Sequence, residues 1–350
     1  MALLRRGAAR AVVGYDRVEA VLSQALELGA ITEPAASVPE AVAEADVVVV
    51  ATPVDATVPI TLAALAAAPA GAWVTDVASV KRPVVEAVRQ SGQATRFIGG
   101  HPMAGAERSG VEAADPYLFE NAIYLLTPDP PAQKGEDAPC LRRAEQLVRA
   151  VGAVPLVVDP ATHDRMVAVV SHLPHLAAVC LVETARQESQ ALPLLLALAA
   201  GGFRDTTRVA AADAHLWAEI LLANAGAVLW AGDTFQQVWA SLRELLAQQD
   251  KEGLVHLLES ARQTRAGLPA RRKGYVQPWA ELVVEVQDRP GAIAEVTRIV
   301  AHHRLNLTDI EILRAREGVG GTLRLAFERM QERDEALLQL AAAGFRCRAM

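Results

Sequence analysis

The sequence is poor in the residues from which several function classes are built. Cysteine occurs three times in 350 residues, at Cys140, Cys180 and Cys347. Three thiols so far apart give neither a disulfide framework nor a metal-ligand spacing, so a reducing cytoplasm is the natural reading and no metal is expected. A basic excess is lacking too: 34 Lys and Arg stand against 41 Asp and Glu, a formal charge of −7. That balance excludes nucleic-acid binding through a basic face. An anionic ligand would need local arginines working against an unfavourable overall field. No apolar h-region precedes Arg5 and Arg6, so a signal peptide is not expected. The apolar runs at 192–200 and 220–230 are too short or interrupted to span a bilayer. They read as buried helices, and no membrane partner is expected.

What remains is apolar. Hydrophobic residues make up 52% and charged ones 21%, enough for two or three packed domains. Across residues 1–158, short β-branched runs at 10–16, 46–51, 72–76, 96–99, 122–127 and 154–158 alternate with Ala-rich helical stretches such as 54–68 and 80–90. Continuous apolar strands separated by helices predict an α/β fold, a Rossmann-type doubly wound parallel sheet covered on both faces. Over 159–266 the strand signal vanishes. Long Ala/Leu helices follow, apolar on most faces, as expected for an all-α domain buried on itself or on a partner subunit. Residues 267–278 (GLPARRKGYVQP) read as a linker. Period-2 alternation returns in 279–350, where the order of elements predicts a small ferredoxin-like βαββαβ domain.

Asp16 ends the first strand of this pattern. In a doubly wound dinucleotide fold a carboxylate there accepts from ribose hydroxyls and repels a 2′-phosphate; a plain turn former is the alternative. Thr52 and Pro53 open the loop after strand 46–51, at the carboxyl end where ligands bind such sheets. A GxGxxG loop, which holds a pyrophosphate at a helix N-terminus, does not occur in the sequence. Residues 1–7 look like the last turns of the helix that follows such a loop, so the true start is expected upstream of Met1, with a defective chain as the alternative. Ser79, in Asp76-Val77-Ala78-Ser79-Val80-Lys81, and His101, in Gly99-Gly100-His101-Pro102-Met103-Ala104-Gly105, follow adjacent strands. Taken singly, Ser79 reads equally as a helix N-cap and His101 as a turn residue.

Together, and with Glu107 shortly after, these strings resemble the prephenate dehydrogenase family. His163-Asp164-Arg165, Ser171-His172-Leu173-Pro174-His175, residues 201–208 (GGFRDTTR) and Trp217 match that pattern in order. The resemblance covers nearly the whole chain apart from the glycine loop. It implies oxidative decarboxylation of prephenate to 4-hydroxyphenylpyruvate in tyrosine biosynthesis, with NAD reduced; Arg17 beside Asp16 leaves NADP open. It implies His101 as the base on the 4-hydroxyl, and Ser79 as a hydrogen-bonding group to that hydroxyl or the nicotinamide. Asp16, Thr52, Pro53 and Ser79 would contact the cofactor. Arg208 would grip a substrate carboxylate through its guanidinium fork. His175 would touch the pyruvyl chain and favour prephenate over arogenate, with Ser171, Gly201 and Trp217 completing the substrate site. Glu107, Asp164 and Asp205 are expected to form an ionic network, and the helical domains of two subunits to interlock as a homodimer. Asp288-Arg289-Pro290-Gly291-Ala292-Ile293 resembles the ligand turn of an ACT domain, which implies L-tyrosine as a feedback ligand near Asp288, Pro290, Gly291 and Ala292.

Two other readings stay open. A β-hydroxyacid dehydrogenase shares the two-domain plan but relies on a lysine in its helical domain, where this chain has scarcely any. The second is an amino-acid-binding ACT protein whose truncated cofactor domain is catalytically impaired.

Overall fold

The computed structural model describes residues 1–105, 110–129, 139–268, 280–287, 289–316 and 320–349. Glu107, Asp288 and nearly all of the expected linker lie outside these described residues. The chain divides into two compact units, Met1–Gly274 and Tyr275–Met350.

The first unit begins with α1 (Ala2–Arg5), β1 (Val13–Gly14), α2 (Glu19–Glu27), β2 (Glu33–Pro34), α3 (Val38–Val42) and β3 (Val47–Val50). It continues through α4 (Val54–Ala67), β4 (Trp73–Asp76), α5 (Arg82–Gln90), β5 (Phe97–Pro102), β6 (Ile123–Thr127), α6 (Pro139–Ala150) and β7 (Val154–Val157). Among the described residues the short β1 and β2 pair with each other alone, and the other five strands of this unit run in the order β3-β4-β5-β6-β7. This corrects the expected all-parallel sheet: β5 and β6 are antiparallel, while the other neighbours are parallel. The reason is the connection. No crossover α-helix is described between β5 and β6, so the chain returns beside β5, whereas α6 carries it over to a parallel β7.

Alternate strand residues feed two cores. Val74 and Phe97 pack with Val50, Leu65, Val84, Val85 and Val88 on one face. Trp73 and Ile98 pack with Tyr124, Leu126, Ala144 and Val148 on the other. The strand ends approach closely at Gly100, where a Cβ would lie 2.5 Å from the Asp76 carbonyl oxygen. Only glycine fits there, and this sets the distance between the loops after β4 and β5.

The helical part comprises α7 (Pro160–Val167), a π turn at Ala168–His172, α8 (Leu173–Glu188), α9 (Gly201–Thr207), α10 (Ala214–Ala223), α11 (Ala225–Ala247) and α12 (Lys251–Ala266). Side-chain caps explain three of the starts: Asp159 accepts from Thr162 N at 2.9 Å, Asp213 from Leu216 N at 2.8 Å and Asp250 from Gly253 N at 3.0 Å. Pro174 explains the π turn, because it has no N–H for the Val170 carbonyl and the helix widens ahead of it. The run 192–200 is not the buried helix expected. Pro193 interrupts it, only Leu196–Leu198 forms a 3₁₀ turn, and Leu194 and Leu198 are 75% and 76% exposed. The run 220–230 is broken as well, by a 91° bend between α10 and α11 at Asn224.

By length and composition the continuous stretch Pro160–Glu188 is apolar enough to cross a membrane, which the sequence reading did not foresee. It carries His163 and Asp164, whose side chains bond to the sheet part of the same unit. A charged group of that kind is costly in hydrocarbon, and here it docks the helix on the sheet.

The second unit comprises β8 (Ala280–Val286), α13 (Ala292–His302), β9 (Leu307–Arg316), β10 (Gly320–Phe327), α14 (Met330–Ala342) and β11 (Cys347–Ala349). Its antiparallel sheet runs β11-β8-β10-β9, the expected βαββαβ fold. Leu282, Val284, Leu323, Leu325 and Phe327 pack against Val296, Val300, Ala336 and Leu340. Arg324, across the sheet from that core, pairs with Glu281, Asp309 and Glu311.

Candidate active site

The site is built on the carboxyl ends of β4 and β5. Asp76 closes β4 and is fully buried. Its Oδ1 accepts from Gly100 N at 3.1 Å and its Oδ2 from Ala78 N at 3.0 Å. One carboxylate therefore holds both the residue before His101 and the residue before Ser79. Lys81, also fully buried, pairs with Asp76 Oδ2 and donates to the Gly100 carbonyl at 2.6 Å. Burial pushes the Lys81 pKa down, opposed by Asp76 and then Asp164. Ser79 is half-buried, and its hydroxyl makes no hydrogen bond among the described residues.

His101 is half-buried at the end of β5. Its Nδ1 lies 2.9 Å from His163 Nε2, and His163 Nδ1 lies 2.7 Å from Asp164 Oδ1. Burial first, then His163, Lys81 and His172, holds the His101 pKa well below the usual histidine value. Burial thus favours the neutral imidazole, whose bare ring nitrogen can accept a proton. Asp164 does more than orient His163: Oδ1 accepts from Lys81 N at 2.8 Å and Oδ2 from Arg82 N at 3.0 Å. It caps α5 from a different helix, satisfying two amides that the helix itself leaves open.

A second layer comes from the helical part. Asn224, at the α10–α11 bend, donates to the Asp164 carbonyl at 2.8 Å and lies 3.2 Å from His172 Nδ1. An amide NH₂ only donates, so His172 Nδ1 accepts and its proton sits on Nε2. Burial lowers the His172 pKa to about 4. Trp217 lies edge-on to His172 and stacks on His175, with centroids 3.6 Å apart and planes 6° from parallel. His175 is buried, its pKa is lowered by that burial, and its Nδ1 has no partner among the described residues.

Comparison with known proteins follows the same domain plan. Residues 1–157 match the family model "Prephenate dehydrogenase, nucleotide-binding domain", residues 159–260 "Prephenate dehydrogenase, dimerization domain" and residues 280–342 "ACT domain". The chain belongs to the prephenate dehydrogenase family. Prephenate dehydrogenase of Bacillus subtilis (strain 168) is 36% identical over 339 residues, covering 96% of this chain and 90% of that protein. The crystal structure of prephenate dehydrogenase from A. aeolicus in complex with hydroxyphenyl propionate and NAD+ is 33% identical, with a TM-score of 0.69. It covers 76% of this chain and 91% of its own. Synechocystis arogenate dehydrogenase is 30% identical with a TM-score of 0.65, over 75% of this chain and 92% of its own.

Within this family framework the expected residues fall into two groups. Ser79 and His101 are tied together through Asp76, Asp164 reaches His101 through His163, and His175 meets Trp217. Ser171 is half-buried in the π turn. Gly201, Asp205 and Arg208, by contrast, are exposed on α9 and at its end. One alternative reading falls and one expectation stays open. Ser79 is no helix N-cap, since α5 starts at Arg82 under the cap of Asp164. Asp164 accepts from His163 and two backbone amides, while the expected ionic network with Asp205 includes Glu107, which is not among the described residues. Among the residues expected to contact a cofactor, Asp16 Oδ1 accepts from Val18 N at 2.8 Å, Thr52 Oγ1 lies 3.3 Å from Thr57 Oγ1, and Pro53 precedes α4. Sequence reasoning gave no role to Asp76, Lys81, His163 or Asn224. The available signal was a carboxylate closing an apolar strand with a lysine five residues on.

Proposed function

We propose that this chain oxidatively decarboxylates prephenate to 4-hydroxyphenylpyruvate. One observation carries the reading: a half-buried His101 and a Ser79 hydroxyl with no partner among the described residues are held on neighbouring loops by a single buried carboxylate, Asp76. The reaction removes a hydride from the ring carbon that bears the 4-hydroxyl, and a proton from that hydroxyl. His101 takes the proton, a contribution of about 10²–10⁴-fold for a positioned base. Ser79 hydrogen-bonds the same oxygen and fixes its orientation. Loss of the ring carboxylate as carbon dioxide then leaves an aromatic ring.

NAD fits the residues present. Asp16 uses one carboxylate oxygen on Val18 N, which leaves the other for ribose hydroxyls, and its charge disfavours the 2′-phosphate of NADP. Thr52, Pro53 and Ser79 stand on the loops at the same end of the strands. When bound, the nicotinamide accepts the hydride. Arg208 pairs with a substrate carboxylate, and His175, stacked on Trp217, presents its open nitrogen to the pyruvyl chain, beside Ser171 and Gly201. The preference for prephenate over arogenate follows from that contact.

The helical part joins two chains as a homodimer. Supporting this are the exposed Leu194, Leu198 and Leu222, the last 77% exposed, an apolar surface that a lone chain leaves in water. In the second unit, Gly291 adopts φ +88° and opens α13, so its neighbours Pro290 and Ala292 frame helix amides suited to an amino-acid carboxylate. L-Tyrosine is the ligand proposed there.

The test is prephenate-dependent NADH formation by the chain, paired with calorimetric titration of NAD and of L-tyrosine. The expected result is turnover, NAD binding, and inhibition by tyrosine. A folded chain that binds tyrosine but neither NAD nor prephenate overturns the reading in favour of an amino-acid-binding ACT protein.

A further inference from the structure

Two side chains, His163 and then Asp164, stand in line behind the candidate base, and their order has a chemical consequence. Asp164 is surrounded by donors: Lys81 N, Arg82 N and the His163 ring nitrogen Nδ1 all point at its oxygens. A carboxylate in that position accepts, so Nδ1 of His163 carries a hydrogen. A neutral His163 then has only a lone pair on Nε2, and the 2.9 Å contact to His101 Nδ1 requires the hydrogen to come from His101. That leaves the lone pair of His101 on Nε2, which has no hydrogen-bond partner among the described residues.

We infer that His163 is a positioning residue for the proposed reaction: backed by Asp164, it fixes His101 as the Nδ1–H tautomer and so leaves Nε2 free as the base. The inference rests on the dehydrogenase reading for its kinetic consequence, but the tautomer itself does not depend on it. In the step it serves, the substrate O–H bond breaks and an Nε2–H bond forms on His101. The hydride leaves the same ring carbon for the nicotinamide, and the C–O bond becomes a carbonyl. The His101 ring, now positive, keeps its Nδ1–H bond to His163, whose own Nδ1–H bond to Asp164 places a negative charge behind the pair. All three groups are already aligned before the proton moves. His163 is fully buried, so water cannot substitute for it.

The opposite arrangement is chemically distinct. A doubly protonated His163 would donate to His101, place the His101 hydrogen on Nε2, and remove the base. Histidine ¹⁵N NMR of the ligand-free chain separates the two. The expected spectrum has His101 with a protonated Nδ1 and an unprotonated Nε2 at pH 7. In His163→Phe that tautomer should be lost and kcat should fall roughly 10–100-fold, with KM for prephenate changed less than about threefold. In His163→Gln the side-chain carbonyl can accept from Nδ1–H, and both the tautomer and most of kcat should return. A parent spectrum with Nε2–H on His101 overturns the inference, as does an unchanged His101 tautomer in a folded His163→Phe. If no variant, parent included, turns over prephenate, the function reading has failed, and the spectra still decide the tautomer.

Discussion

The two halves of the candidate site are built differently. In the buried half, Asp76 and Lys81 of the sheet part and His163, Asp164, His172 and Asn224 of the helical part are all buried within one chain and bonded to one another. On the α9 side, Gly201, Asp205 and Arg208 are exposed, near the uncovered leucines at 194 and 198. The first half is pre-organised by its own fold, as acid–base chemistry requires. The second half is where the proposed homodimer would bring in another subunit. Breaking the first half should damage folding as well as turnover, and breaking the second should damage binding or assembly and spare the fold.

The largest expected effect tests the buried half. Lys81→Met leaves Asp76 as an unpaired buried charge and should cost about 3–5 kcal/mol of stability, read as a lower urea midpoint at unchanged slope. An unaltered midpoint would mean that the pair does not hold the loops. Next comes pH. The His172 pKa falls from 6.5 to about 4 on folding, and that of His101 falls as well. The unfolded chain then binds more protons than the folded one below pH 6.5, so stability is fully present above 6.5 and is lost as pH falls towards 4. For His172 this amounts to on the order of 3 kcal/mol, and His172→Gln should flatten the slope of denaturation midpoint against pH.

Arg208→Ala tests the other half. Loss of a charge-assisted bond worth about 1.5–3 kcal/mol should raise KM for prephenate roughly 10–100-fold with the melting temperature unchanged; an unchanged KM counts against the assignment. Leu198→Asp should shift sedimentation from dimer towards monomer without unfolding the chain, and a persistent dimer would place the interface elsewhere. The smallest effect belongs to Ser79→Ala, about 1 kcal/mol and so about fivefold in kcat, for one neutral hydrogen bond.

The strands of the sheet were legible because buried strands appear as unbroken β-branched runs, so Val47–Val50 and Trp73–Asp76 fall within the expected limits. The direction of β6 was not, because periodicity carries no information about whether a loop returns or crosses over. The run 192–200 misled for a related reason: leucine content predicts burial, but Pro193 breaks the run and no facing element among the described residues covers it. His101 and Ser79 were legible as strand-end polar residues. Their supports were not, since His163 is 62 positions from His101 in the chain and the two meet only when α7 docks on β5. Lys81 stood out only as part of its string, and its buried place beside Asp76 relies on Gly99, where a Cβ would lie 3.3 Å from Lys81 Cδ.

The most direct measurement of the account is the kinetics of His101→Asn with prephenate and NAD. The account predicts that kcat falls about 10²–10⁴-fold while the calorimetric Kd for prephenate stays within a few-fold of the parent. A variant that turns over at near-parental rate would contradict it.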